Sequence, residues 1–343
     1  MVSHAMPNFA FVKISDLTSL LNQLYMIKTL RICAFLFLTV VSLPSSVKAQ
    51  SPTDAIMMEK SQLCVAALYT HDSWDEYWEG TLKRTNGNIG TLTRQSITPM
   101  FAYGISDRFN ILAALPWMST EPSGGQLKGV SGLQDFSLWL KVKAFDTKLG
   151  PGDLSVHAVL GGSIPITDYS GDYSPLSLGL NCPEFSIRAT PQYLLDMGLY
   201  VRGTAAYHVR GTSTIERDYY YTTHGVYSDK VDMPDAMSYG VTLGSWFLNN
   251  SLQVEATYDG LNTLDGFDIR RQDAGFPSNE MDFTRAGVFA HYYFSFIPGF
   301  GIIGQYNQVL TGRNVGQSTT WTVGLNYVFG FGSKQGEIPE PTN

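Results

Sequence analysis

From Gln62 onward, apolar side chains recur every second residue in twelve segments. A period of two marks a chain that runs as strands with unlike faces. The segments span 62–72, 91–105, 109–118, 133–146, 152–165, 184–195, 199–211, 235–248, 251–262, 282–295, 299–310 and 320–331. In the fourth, Phe136, Leu138, Leu140, Val142 and Ala144 share one face. Asp135, Ser137, Lys141 and Lys143 share the other, together with Trp139. In the sixth, Phe185, Ile187, Ala189, Pro191 and Tyr193 oppose Ser186, Arg188, Thr190 and Gln192. In the seventh, Val201, Ala205, Tyr207 and Val209 oppose Arg202, Thr204, His208 and Arg210. In the ninth, Val254, Ala256 and Tyr258 oppose Gln253, Glu255 and Asp259. The second, third, tenth and eleventh segments alternate less cleanly, as bulged strands do. Pro99 and Pro191 each lack a ladder donor, so a bulge is expected near each.

A soluble sandwich alternates too, and connection lengths separate it from a barrel. Long connections (73–90, 119–132, 166–183, 212–234, 263–281 and the shorter 311–319) take turns with tight ones. The tight ones lie at Ser106-Asp107-Arg108, 147–151, Asp196-Met197-Gly198, Asn249-Asn250 and Ile297-Pro298. With an even strand number, both termini fall on the short-turn side. This is the plan of an all-β, transmembrane, antiparallel up-and-down barrel, with short periplasmic turns and long extracellular loops. The aromatics, which played no part in placing the strands, fall into two outward belts under this plan. Tyr69, Trp117, Tyr207, Tyr239, Tyr258, Tyr306 and Trp321 lie toward the long loops. Tyr103, Phe109, Tyr193, Phe247, Tyr292, Phe294, Phe300 and Phe329 lie toward the short turns. Membrane barrels concentrate aromatics at both interfaces.

Composition agrees. Only 15% of the 343 residues are charged, against about a quarter in soluble domains. The longest apolar run, Ile32 to Leu43, is too short for a membrane-spanning helix, which needs about 20 residues. A formal net charge of -7 argues against a nucleic-acid partner.

The N-terminal part reads as an export signal that starts late. Lys28 and Arg31 supply the positive region, Ile32 to Leu43 the apolar core, and Val47-Lys48-Ala49 before Gln50 a small-residue cleavage site. Residues 1–25 are then an over-called start and 26–49 the signal peptide, the alternative being a signal with a long n-region. Removal of 1–49 leaves a still more acidic chain, which fits a bacterial cell surface. Residues 50–61 form a periplasmic segment that could plug the lumen, 62–331 the barrel, and 332–343 a periplasmic tail. Cys64 and Cys182 fall at opposite ends of the molecule in this plan, too far apart for a disulfide, and are expected unpaired.

Residues with catalytic or ligand-binding potential are sparse. The chain lacks a phosphate loop, a GxSxG motif and a metal-spaced Cys/His set. His157 and His208 fall on inward faces as satisfied or solvated side chains. His71 and Ser73 lie two apart on an outward face, a spacing that could serve acyl transfer. It would resemble outer-membrane phospholipase A, but that family's Ser-Asn-Gly continuation is replaced here by Ser73-Trp74-Asp75-Glu76. The acids Asp72, Asp75, Glu76 and Glu79, and likewise Asp168 and Asp172, could bind a cation, although a solvated loop explains them as well. Tyr219-Tyr220-Tyr221 could stack on a ligand or pack within its loop.

The interior is the more informative site. Its charged candidates are Asp135, Lys141, Lys143, Arg188, Arg202, Arg210, Glu255, Asp259 and Arg285, joined by Gln192, Gln253, Gln305 and Asn326. Bases gather on segments four, six and seven and acids on nine. Two arrangements follow: a wall of bases facing a wall of acids across a pore, or structural ion pairs that fill the lumen. A twelve-stranded barrel falls between filled and open sizes, so a narrow or partly plugged lumen is expected.

Three stretches carry a family resemblance: Tyr103-Gly-Ile-Ser-Asp-Arg-Phe109, Gly132-Leu-Gln-Asp-Phe-Ser-Leu-Trp-Leu-Lys141 and Ile164-Pro165-Ile166-Thr167-Asp168. In this order they resemble the outer-membrane transporters of the phenol meta-pathway degradation type over roughly 62–331. That family's Pro-Thr-Gly is here Pro165-Ile166-Thr167, which alters the loop. The resemblance implies an outer-membrane barrel that passes small hydrophobic or aromatic compounds, and supplies no site residues.

The sequence thus points to a monomeric outer-membrane channel without cofactor, its partners being membrane lipid and a small permeant. A lipid hydrolase built on Ser73 and His71, or an adhesin or structural barrel acting through its loops, are the rivals. Ser73→Ala discriminates the first: lipase activity present in the parent and lost in the variant would overturn the channel reading.

Overall fold

The computed structural model describes residues 50–270 and 275–330. The expected leader (1–49), residue 331 and the tail (332–343) lie outside the described residues. Each of the twelve expected segments carries a barrel strand: β1 Gln62–Trp74, β2 Leu92–Ser106, β3 in two pieces (Phe109–Ala114 and Trp117–Pro122) and β4 Asp135–Leu149, with a leading piece Ser131–Leu133. Then come β5 Gly152–Pro165, β6 Glu184–Leu195, β7 Leu199–Arg210, β8 Ala236–Phe247, β9 Leu252–Thr263, β10 Asp282–Tyr293, β11 Phe300–Arg313 and β12 Thr319–Gly330. Each strand pairs antiparallel with its chain neighbours. β1 pairs with both β2 (Cys64 opposite Ala102) and β12 (Cys64 opposite Val328), which closes the barrel. Closure leaves no unpaired edge, the condition a sheet must meet in lipid.

The alternation decides the faces. Outward positions such as Ile97, Phe101, Leu138, Ile187, Val241, Val288 and Leu325 are exposed hydrophobics. Inward neighbours such as Asn110, Lys141, Thr190, Arg202 and Asn326 are polar and buried. This inversion of the soluble pattern is what a lipid solvent selects.

Proline acts differently from the expectation. β6 keeps its register past Pro191 against β5, and against β7 the ladder lapses and resumes unshifted. β2 likewise keeps one register against both pieces of β3 on either side of Pro99. No bulge forms in either strand at these prolines, because the missing donor is absorbed by a gap in one ladder. At Leu115 and Pro116 β3 itself is interrupted, and across that gap its pairing partner changes from Leu133 to Ser137. Register shifts occur instead at Gly104/Ser106, Lys143/Phe145 and Thr284/Arg285.

The short turns use residues that tolerate left-handed backbone. Asn249 and Asn250 have φ 56 and 64, and Gly299 has φ 83, conformations that asparagine and glycine adopt at least cost. The long loops fold on themselves. Trp74, Ile89, Leu92 and Leu176 form one apolar cluster, and Cys182, Ile215, Val231, Met233 and Phe276 another. Trp74 and Leu92 face inward at the long-loop rim, so Leu176 carries its loop into the mouth.

Val241→Arg, at the middle of β8 and 56% exposed, should cost about 2–4 kcal/mol in folding into lipid vesicles, as arginine at the bilayer midplane does. Denaturant titration with vesicles checks this. The polar change Thr242→Asn one residue away, on the inward face, should cost far less.

Candidate functional site

The lumen is built from the inward residues of all twelve strands and from segment 50–61. That segment enters from the short-turn end. Gln50, Asp54 and Met58 are buried inside the barrel. Met58, 1% exposed, packs among Cys64, Ala102, Leu112 and Val328, with Trp139 against the group; such burial stabilises by about 1.5–3 kcal/mol. The Lys141 ammonium, fully buried, donates to Asp54 Oδ1 at 2.6 Å and to the Ser51 carbonyl at 3.0 Å. Asp54 in turn accepts from the Ile56 amide at 2.8 Å and from the Ser51 amide. The segment is thus held by one apolar anchor and one buried ion pair. Its exit into β1 is fixed by the Ser61 amide, which donates to the Gly104 carbonyl at 2.8 Å.

Most of the remaining charges pair. Arg202 Nη1 and Nη2 donate to Glu255 Oε1 and Oε2, each at 2.9 Å. Arg285 Nε donates to Asp259 Oδ2 at 2.8 Å. Arg210 Nε donates to Glu184 Oε2 at 3.0 Å, and His208 bonds Glu184 Oε1 at 2.8 Å and Ser238 Oγ at 2.9 Å. Asp135 accepts from Tyr169 Oη at 2.5 Å at the long-loop rim. Lys143 occupies the inward position next to the register shift of β4. Arg188 makes one hydrogen bond, to Thr204 Oγ1 at 3.2 Å. Of the two arrangements, the acids of β9 follow the ion-paired one, within bonding reach of arginines from β7 and β10. At these distances a separated charge would cost more than a paired one.

The Arg202–Glu255 pair spans β8, which lies between its two strands. Tyr200, Gly244 and Glu255 are successive ladder partners across β7, β8 and β9. Tyr200 Oη reaches over Gly244 to donate to Glu255 Oε1 at 2.5 Å, and Gln253 donates to both. A Cβ on Gly244 would collide with the Tyr200 ring. The same device recurs at Gly301, over which His291 bonds Asn326 at 2.7 Å. Sequence reading missed Tyr200, His291 and Asp54 as partners. The first two carry a parity signal on strands already identified; Asp54 carries none, because its segment has no periodicity.

Among the described residues, two cavities lie in the lumen. One of about 460 Å³ reaches from Ser51 and Cys64 to the long-loop ends of β7 to β10, and is lined by Asp54, Leu68, Arg188, Arg202, Glu255 and Phe289 among others. The second, about 650 Å³, opens beneath the long loops beside Asp72, Arg94, Leu178 and Val309. Leu261, Phe283 and Arg285 line both, so the Arg285 side of the Arg285–Asp259 pair borders the two spaces.

The other candidates are used elsewhere. His71 stacks on Trp321 with ring centroids 5.2 Å apart, and no hydrogen bond joins it to Ser73 among the described residues, so the acyl-transfer pair is not assembled. Asp72 pairs with Arg94 at 2.8 Å, Glu76 with Lys83 at 2.7 Å, Glu79 with Arg84 at 2.6 Å and Asp172 with Arg217 at 2.5 Å. Those acids serve ion pairs, and no metal-holding group of His, Cys, Asp and Glu occurs among the described residues. Tyr220 stacks on Phe276, Tyr219 on Tyr227, and Tyr221 lies under the Arg270 guanidinium, so the tyrosine run packs within the loops. Cys64 and Cys182 are free and sit in separate clusters. Burial pushes the Cys182 thiol up to about 11, which keeps it protonated and unreactive.

No protein-family profile and no curated protein matches the chain. Among solved structures, it resembles the COG4313 outer membrane channel from Pseudomonas putida F1, with a TM-score of 0.65 and 16% identity, covering 82% of this chain and all of that one (100%). The translocator domain of the autotransporter NalP from Neisseria meningitidis aligns at a TM-score of 0.41 and 12% identity, over 90% of this chain and 99% of its own. The likeness to the first is one of fold: the chain has the barrel of outer-membrane channels.

Glu255→Gln leaves Arg202 buried without its counter-charge and should cost about 3–5 kcal/mol. In the double variant with Arg202→Met the losses should fall well short of additive, as read by denaturant titration in lipid vesicles.

Proposed function

We propose that the chain is an outer-membrane channel for small molecules, closed at its periplasmic end by segment 50–61. The observation that carries this reading is the pair of cavities, both bordered by Arg285, inside a closed barrel. Their walls bear polar groups that could replace part of a permeant's hydration, and selectivity in such a lumen follows from width and wall charge. The family resemblance of residues 103–109, 132–141 and 164–168 supports hydrophobic or aromatic compounds as the permeant class, as do Phe283 and Phe289 in the cavity walls. The short-turn end is then periplasmic and the loop-covered mouth extracellular. The nine charged residues read from the sequence are the proposed lining. Six of them are held in ion pairs, so the path is narrow and carries no strong transverse field.

In this reading the Asp54–Lys141 pair is the latch of the plug. Opening the periplasmic end requires Asp54 and Met58 to leave the lumen, and the buried pair makes that state rare. Single-channel conductance of the chain from Gln50 in a planar bilayer tests it. Small, infrequent steps are expected for the parent. Asp54→Asn should raise the open fraction at least tenfold, because it weakens an interaction whose loss costs about 3–5 kcal/mol. Silence in the parent, in Asp54→Asn and in a chain lacking residues 50–57 would refute the channel.

A further inference from the structure

Arg188 stands apart from the other cations of the lumen. Lys141, Arg202, Arg210, Arg285 and Arg94 each hold a carboxylate within 3.0 Å. Arg188 forms no ion pair among the described residues and makes a single hydrogen bond, to Thr204. Its ladder partners, Val159 on β5 and Ala206 on β7, are apolar and buried. The nearest acids are already engaged: Glu184 by Arg210 and His208, Asp259 by Arg285. Lys143 also lacks an ion pair among the described residues, but it does not line the cavity, whereas Arg188 does. The cavity of about 460 Å³ thus carries one uncompensated guanidinium.

The facing wall has the opposite character. In a ring of twelve strands, β6 lies across from β12, with β11 and β1 beside it. The cavity residues from that side are Cys64, Ala66 and Leu68 on β1, Ile303 and Gln305 on β11 and Thr322 on β12, with Met100 on β2 and Phe289 and His291 on β10 flanking them. One side of the space offers a planar, five-donor cation; the other offers the apolar side chains of Ala66, Leu68, Met100, Phe289 and Ile303 and no carboxylate, with Gln305, His291 and Thr322 as its polar members. The volume lies within the range of small-ligand pockets, about 300–1,000 Å³.

From this juxtaposition we infer that Arg188 receives the carboxylate of an amphipathic monoanion, a small aromatic or short-chain acid whose apolar body lies against Leu68, Ile303 and Phe289. The inference rests on the channel reading and names a substrate class for it. A guanidinium fork matches a carboxylate bidentately, so the ligand supplies the partner that every other lumen arginine finds within the chain. Glu255 and Asp259 border the same cavity and disfavour a second negative charge, which sets the class at monoanions.

Fluorine NMR titration of the folded chain with para-fluorobenzoate and para-fluorobenzamide tests this, since the two differ in charge and hardly in shape. The acid should bind the parent more tightly than the amide. Arg188→Gln should weaken the acid about tenfold, the worth of a charge-assisted hydrogen bond, and leave the amide unchanged. Amide binding also reports that the variant is folded. Arg188→Lys, which keeps the charge and loses the fork, should fall between. Equal losses for both ligands, or no loss for the acid, would overturn the inference, as would a parent that binds neither. Conductance steps in a parent that binds neither ligand would sink the carboxylate site and leave the channel standing. Arg188-dependent binding in a chain without conductance would do the reverse.

Discussion

A backbone amide in hydrocarbon has no water to bond, and the pairing of β12 with β1 is what spares this chain that cost. Most other features follow from that closure. Once the sheet closes, every second side chain faces lipid and must be apolar, and the polar residues have only the interior to occupy. An interior of twelve strands is too wide to fill with side chains alone and too narrow to hydrate freely. Charges placed there are driven to find one another, which is why the lumen is a network of pairs rather than a field.

Pairing across a barrel needs reach. The Tyr200 hydroxyl passes over Gly244 to Glu255, and the His291–Asn326 bond passes over Gly301. Glycine at an inward strand position removes a packing side chain and weakens the local sheet. Here that loss is offset by a buried bond between strands that do not touch in the ladder. The glycines therefore belong to the interior network as much as its charged members do.

The strands were legible because two independent signals agree: the period of two, and the alternation of long and short connections. Trp139 illustrates how far the parity carries. It is an aromatic residue on a polar face, and it packs inward against the Met58 group. Parity also placed Arg188, Arg202, Glu255 and Asp259 on one surface. It did not give the partners, because a strand pattern contains no azimuth. Whether Glu255 meets Arg202 or faces it across a gap depends on how far each side chain reaches across β8. Pro99 and Pro191 misled for a related reason, since the ladder of one neighbour can lapse locally without a change of register. Asp54 and Leu176 were out of reach altogether. Both lie on irregular chain whose course is set by tertiary contacts that leave no periodic trace.

Met58 has a place in the barrel that goes beyond stoppering it. Its neighbours Cys64, Ala102 and Leu112 come from the first three strands and Val328 from the last, so the side chain straddles the line along which the cylinder closes. Lys141, which holds the same segment, belongs to β4, early in the chain. The segment can therefore seat on the first four strands before the last one arrives, and it then offers that strand an apolar surface to land on. Seating of the segment and closure of the cylinder then draw on the same side-chain contacts.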